Sequence, residues 1–221
     1  MIQSKAYKYK GIIFDLDGVI CHTDQYHYRA WKIIADELGI FFDQKTNNKL
    51  RGVSRMESLE IILNEGKVKL TDKEKEALAK KKNDAYRTFL NELTPEDLDK
   101  KVLETLMVLK ELKVKMAIGS SSKNATFILG KLGLSDFFDA VVDGNSISES
   151  KPNPEVFNKA RQALKLEKEE CVVVEDAFSG IEAARNAGMD SIGIGDASKS
   201  DGATYKIREF SDLLGEEFLI S

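Results

Sequence analysis

The chain has little of what holds a protein together other than a packed core. Its 221 residues include two cysteines, Cys21 and Cys171, three prolines, two histidines and one tryptophan. Two cysteines do not make the bridge framework of a small secreted domain, and both lie beside apolar runs. Buried free thiols in a reducing compartment are therefore expected. No apolar run approaches the roughly 20 residues of a membrane-spanning helix. Lys5, Lys8 and Lys10 precede a short strand-like run and not a secretory apolar segment. Charge of one sign is also missing: 33 basic residues face 37 acidic ones, a net charge of −4. Neither nucleic acid nor a membrane surface is expected as a partner. No internal repeat or low-complexity tract is found. The expected form is a soluble cytoplasmic monomer. Its 42% apolar content is ordinary for a globular chain, and its length fits one large domain or a domain carrying an insertion.

The richest stretch is Gly11-Ile12-Ile13-Phe14-Asp15-Leu16-Asp17-Gly18-Val19-Ile20. Its short apolar run reads as a buried strand of a parallel sheet. Residues i and i+2 leave a strand on the same side, which puts Asp15 and Asp17 together at its carboxyl end. Ligands bind at that end in open α/β sheets. Such a pair can hold a divalent metal, or divide nucleophilic and acid/base work. Asp-Leu-Asp-Gly read alone also has a second, less favoured reading as a strand-ending turn.

Beyond this pair, helical spacing runs from Tyr26 to Leu38, stopped by Gly39. A polar loop leads to Arg51-Gly52-Val53-Ser54-Arg55, where Ser54 caps the next helix. Thr71-Asp72-Lys73-Glu74 is a capping box for a helix to about Asn91. In that helix Lys80-Lys81-Lys82 reads as a solvated face. Thr94-Pro95-Glu96-Asp97 starts another helix. No strand is found between Ile20 and this point, so an all-helical block of about seventy residues interrupts an α/β pattern. The alternation then resumes. Strands are expected at 115–119, 140–142, 171–174, 191–194 and 205–207. Helices lie between them, one of them opening at Ser122. The expected fold class is α/β, a doubly wound parallel sheet with an inserted all-helical cap domain. The core is residues 1–21 and 95–221, and the cap is residues 22–94.

Such a sheet delivers every strand's carboxyl end to one edge. Asp15 and Asp17, then Ser120, Ser121 and Ser122, then Lys151, then Glu175 and Asp176 all arrive there. Singly these are caps, a solvated lysine and a turn. Together they form a phosphoryl-transfer site. Asp15 would attack phosphorus. Asp15, Asp17 (through its backbone carbonyl) and Asp176, with Glu175 beside them, would hold Mg²⁺. Ser120 and helix N-terminal N–H groups would bind phosphate oxygens. Lys151 would balance the charge as phosphate meets carboxylate.

Asp15-Leu16-Asp17-Gly18, Ser120, Lys151-Pro152 and Glu175-Asp176 resemble, in order and across the whole chain, the four motifs of the haloacid dehalogenase-like phosphotransferases. The helical block resembles the cap of that family's first class, on a Rossmann-like core. The strings around Phe14–Ile20, Tyr26–Trp31, Arg51–Arg55, Lys82–Asp84 and Ser120–Asn124 resemble the family's sugar phosphomutases. The resemblance implies small-molecule sugar phosphates as partners, and Mg²⁺ as cofactor. It implies interconversion of β-glucose 1-phosphate and glucose 6-phosphate, through an aspartyl phosphate at Asp15 and β-glucose 1,6-bisphosphate. Asp17 is then the general acid/base. A mutase also needs a distal phosphate site. Arg55 is the candidate, where residue type alone would leave it on a solvated helix surface, with Ser122, Lys123 and Asn124 completing the site. Trp31, Arg51, Gly52, Val53, Ser54, Lys82, Asn83 and Ser121 would contact sugar or phosphate. His27 either orients Asp17 or a substrate hydroxyl, or is a packed residue. Thr23 lies in the hinge of the cap. The chain departs from the family pattern at Cys21-His22, at Ser121 and at Arg51, which stands where lysine is frequent and bears on sugar selectivity. A phosphatase on the same scaffold is the alternative activity.

Overall fold

A computed structural model describes residues 6–220. The chain runs β1 (Ala6–Tyr7), β2 (Gly11–Phe14), α1 (Asp24–Glu37), α2 (Gln44–Asn48), α3 (Arg55–Gly66), α4 (Asp72–Leu90), α5 (Lys100–Glu111), β3 (Lys115–Gly119) and α6 (Ala125–Lys131). It continues with β4 (Ala140–Val142), α7 (Glu155–Leu164), β5 (Cys171–Glu175), α8 (Phe178–Asn186), β6 (Asp190–Gly193), β7 (Tyr205–Lys206) and β8 (Leu219–Ile220). Among the described residues, six strands form one sheet in the order β4-β3-β2-β5-β6-β7, every neighbouring pair parallel. Strand order runs outward from β2 in both directions, so the sheet is doubly wound and reverses between β2 and β5.

Alternation along the strands feeds two cores. Ile12 and Phe14 face a cluster with Leu106 and Leu109 of α5 and Ile128 and Leu129 of α6. Ile13 faces Val156, Phe157 and Ala160 of α7 and Ala183 and Ala184 of α8. Both faces are covered, which is why these strands read as continuous apolar runs. The helices between β2 and β3 bury a third cluster of Trp31, Ile34, Phe42, Leu50, Leu59, Ile62 and Leu63. Tyr86 and Leu90 at the end of α4 join the main core instead and seat the helical layer on the sheet.

Capping chemistry sets the helix starts. Ser54 and Thr71 form complete capping boxes with Glu57 and Glu74. Several expectations need correction. Residues 44–48, read as loop, form α2, whose start is capped by the Asp43 side chain. Pro95–Asp97 makes only a 3₁₀ turn, and α5 begins at Lys100. α6 begins at Ala125, not Ser122, because the Ser120 and Ser122 hydroxyls take the N–H groups of Ser122 and Asn124 in a loop conformation. The antiparallel pair β1–β8 was not anticipated. Cys21 and Cys171 are buried and free. No helix among the described residues is long and apolar enough to cross a membrane.

Candidate active site

At the reversal point, Asp15 extends the ladder one residue past β2: its N–H donates to the Val174 carbonyl at 2.9 Å. The Leu16 carbonyl then accepts from the N–H groups of Ile20 (3.0 Å) and Cys21 (3.1 Å), folding the chain back. Gly18 allows this turn with φ of +89°, and a Cβ there would overlap the Asp176 carboxylate. Asp15 and Asp17 thus lie in the loop after the strand, and both face one cavity. Lys151, 1% exposed, donates from Nζ to Asp15 Oδ1 and to Glu175 Oε1, the latter at 2.5 Å. Glu175 Oε2 accepts the N–H groups of Asp176 (2.9 Å) and Ala177 (3.0 Å). Burial opposes the charge on Lys151, but Asp15 and Glu175 outweigh it and hold the ammonium protonated above its ordinary range.

Carboxylate oxygens of Asp15, Glu175 and Asp176 lie within 4.8 Å of one another. Burial, then Glu175 and Asp15, push the Asp176 carboxyl up to about 8 against the pull of Arg51. Burial, then Asp15, push Asp17 up to about 7. An all-oxygen, anion-crowded set of this kind fits a hard divalent cation. Both Glu175 oxygens are engaged by protein donors, so its main duty is to buttress Lys151 and the Asp176 backbone. Asp15 Oδ2 and Asp176 Oδ1 carry no hydrogen bond among the described residues. Asp17 is held otherwise: Thr23 Oγ1 donates to its Oδ1 and itself accepts from Tyr86 Oη at 3.1 Å.

The cavity measures about 550 Å³. From the sheet edge it is lined by Asp15, Asp17, Ser120, Asp176 and the loop Ser121, Ser122, Lys123 and Asn124. From the helical layer come His27, Trp31, Arg55, Lys82 and Asn83, with Arg51, Gly52, Val53 and Ser54 from the loop before α3. Lys151, Glu175 and Thr23 stand behind this wall and act on it through Asp15, Asp176 and Asp17. Side chains close the helical layer on the sheet. Arg51 pairs with Asp176, with Asp24 at 3.4 Å and with Asp196 at 3.3 Å. Ser121 Oγ donates to the Gly52 carbonyl (3.1 Å), and Asn124 Nδ2 to Asn83 Oδ1 (2.9 Å). Arg55, by contrast, has no hydrogen bond or ion pair among the described residues, and burial lowers its pKa.

Lys82 corrects the solvated-face reading. Lys80 and Lys81 are exposed, but Lys82 is buried at 2% exposure, under Trp31 and Tyr86, with Nζ 2.9 Å from His27 Nδ1. Burial, then Arg55, lower it to about 7, while Asp17 opposes. His27, whose ring lies tilted against Tyr86 with centroids 4.0 Å apart, is held neutral by burial, Lys82 and Arg55. The missed signal was spacing: Ala79, Lys82, Tyr86 and Leu90 form one buried helical stripe with a lysine in it. Tyr86, Asp24, Asp196 and Asn47 also went unanticipated. The two acids carry no local pattern, because they meet Arg51 only through the fold.

Fold and site together define a doubly wound α/β protein whose acid- and lysine-bearing sheet edge opens into a helix-covered polar cavity. Residues 12–194 match the family described as haloacid dehalogenase-like hydrolase, and the chain belongs to that family. It is 42% identical over 206 residues to a β-phosphoglucomutase of Bacillus subtilis, covering 92% of this chain and 91% of the relative. It is 33% identical over 194 residues to a fructose-1-phosphate phosphatase of Escherichia coli, covering 85% and 97%. A crystal structure of a β-phosphoglucomutase from Clostridium difficile superposes with a TM-score of 0.89 at 37% identity, covering 95% of each chain.

Proposed function

We propose that this chain is a β-phosphoglucomutase, interconverting β-glucose 1-phosphate and glucose 6-phosphate through an aspartyl phosphate and β-glucose 1,6-bisphosphate. The supporting observation is Arg55. This guanidinium lines the same cavity as Asp15 but comes from the helical layer, and it has no hydrogen bond or ion pair among the described residues. A bisphosphate needs an anchor for the phosphate that is not reacting, and a guanidinium grips phosphate with two parallel hydrogen bonds.

In the forward direction the sugar 6-hydroxyl oxygen attacks phosphorus of phosphorylated Asp15. The bond from phosphorus to Asp15 breaks, and Asp17 takes the hydroxyl proton. The bisphosphate then turns and presents its 1-phosphate. An Asp15 oxygen attacks that phosphorus, the bond to the C1 oxygen breaks, and Asp17 returns its proton to that oxygen. A pKa near 7 suits Asp17 to both transfers. Lys151 offsets the repulsion between the Asp15 carboxylate and the phosphoryl oxygens. Mg²⁺, held by Asp15, Asp176 and the Asp17 carbonyl, would draw charge from those oxygens. Turning the bisphosphate requires the helices of residues 22–94 to lift as a cap from the core of 1–21 and 95–221, with Thr23 at the hinge. The free buried thiols support a reducing, cytoplasmic setting.

A phosphatase is the second reading, favoured by the likeness to the fructose-1-phosphate phosphatase. Incubation with β-glucose 1-phosphate, Mg²⁺ and a trace of bisphosphate decides between them. Glucose 6-phosphate as the main product supports the mutase; free phosphate as the main product overturns it.

A further inference from the structure

We infer that Asn47 reads the sugar: its carboxamide hydrogen-bonds a ring hydroxyl of the bound hexose phosphate and helps set which sugar is accepted. The inference rests on the reading of the cavity as a hexose-phosphate site. Helix α2 is polar throughout, and Asn47 is its one buried residue, at 3% exposure. Its backbone is satisfied, with the N–H donating to the Asp43 carbonyl at 3.0 Å and the carbonyl accepting from Leu50 N–H at 3.0 Å. The Asp43 carboxylate caps the helix at Thr46 N–H (2.8 Å), so the Asn47 side chain has no capping duty. Asn47 lines the cavity, and its carboxamide, which makes no hydrogen bond among the described residues, is open to that cavity and not sealed in protein.

Asn47 shares its uncommitted state with the Ser58 hydroxyl, but on this wall it alone among the described residues offers a free carboxamide. Ser120, Asn124, Ser58 and Asn47 are the buried neutral polar residues there. Ser120 Oγ accepts from Ser122 N–H, and Asn124 donates to Asn83. Arg55 and Lys82 offer donors at neutral pH, and Asp15 and Asp176 offer acceptors. A carboxamide presents two donor and two acceptor positions side by side, the complement of a hydroxyl that both gives and takes a proton. The Asn47 carboxamide is not among the sealed, unpartnered groups of the described residues, so its free donors and acceptors open onto the cavity. The arrangement therefore fits a group that arrives from the cavity.

The test measures binding to the full chain without a phosphoryl donor, by calorimetry. The ligands are glucose 6-phosphate and its 2-, 3- and 4-deoxy analogues. The wild type should bind one deoxy analogue about tenfold more weakly than the parent, the weight of one good hydrogen bond. Asn47→Ala should bind that analogue and the parent equally, with the other ratios unchanged. Asn47→Asp, which keeps the acceptors and loses the donors, guards against a folding failure in the alanine variant, and both are checked by circular dichroism. If both folded variants keep all the wild-type ratios, the Asn47 assignment is overturned while the hexose-phosphate reading stands. If the wild type binds no hexose phosphate, both fall.

Discussion

Lys82 Nζ and His27 Nδ1 lie 2.9 Å apart on the wall of the cavity, a buried lysine facing a neutral imidazole. Burial, then Arg55, lower Lys82 to about 7, so the free protein at about pH 8 holds it mostly as the amine. A dianionic ligand favours the ammonium and raises that value. Binding at about pH 8 should therefore take up close to one proton, falling towards none at about pH 6, where Lys82 is already charged. Calorimetry of glucose 6-phosphate binding in buffers of different ionisation enthalpy measures this directly. Lys82→Met should remove most of the uptake, leaving any share due to Asp17. Buffer-independent enthalpies at about pH 8 would contradict the assignment.

Arg51 shares its guanidinium among Asp176, Asp24 and Asp196, and so competes for a carboxylate of the acidic trio. Arg51→Met should tighten Mg²⁺ binding by roughly three- to tenfold, the scale of one partly exposed charge interaction. The same change cuts one tie between the helical layer and the sheet, so amide exchange over residues 50–54 should quicken. Titration of the sugar-free protein with Mg²⁺ reads the first effect. Weaker binding in the variant would mean that Arg51 supports the acidic cluster and does not compete within it.

What was legible in the sequence was local. Gly11–Phe14 announced itself by an apolar run ending in Asp15, and Ser54 and Thr71 by capping boxes, because each depends on neighbours a few residues away. Convergence of Asp15, Ser120, Lys151 and Asp176 on one edge followed from the βαβ alternation, since parallel strands share an end. α2 was hidden because Gln44–Asn48 has no apolar periodicity. Ser122 misplaced the start of α6 because a serine can cap a helix or hold a loop, and only the Ser120 and Ser122 hydrogen bonds decide which. Asp24 and Asp196 stand 27 and 145 residues from Arg51 in the chain, and no local pattern links them. Lys82 lay between: the stripe Ala79, Lys82, Tyr86 and Leu90 was readable, but the run of three lysines obscured it.

Arg55 separates the mutase from simpler phosphoryl chemistry. A small aryl phosphate has no second phosphate, so it gains nothing from a guanidinium on the helical side. Arg55→Ala should lower mutase kcat/KM by about a hundredfold or more, as expected for loss of a bidentate, partly buried phosphate contact. Aryl phosphate hydrolysis should change by less than about threefold. Parallel assays on one preparation decide the matter. Equal losses would argue that Arg55 shapes the cavity and does not anchor a distal phosphate.

Burial and Asp15 raise the proton affinity of Asp17, and Thr23 holds it down. Its hydroxyl donates to Asp17 Oδ1 and is oriented by the Tyr86 hydroxyl at 3.1 Å, so the bond favours the ionised carboxylate against burial and the nearby Asp15 charge. Thr23→Val keeps the shape and removes the donor, so Asp17 should rise above about 7, by about one pKa unit for one charge-assisted hydrogen bond. Taking the proton from the sugar hydroxyl requires ionised Asp17. The acidic limb of the kcat/KM profile should therefore move to higher pH, with the plateau recovered in alkaline buffer. Tyr86→Phe, which frees Thr23 to rotate, should move the limb the same way by a smaller amount. A limb that stays in place while the plateau falls would mean that Thr23 acts on cap movement and not on the proton of Asp17.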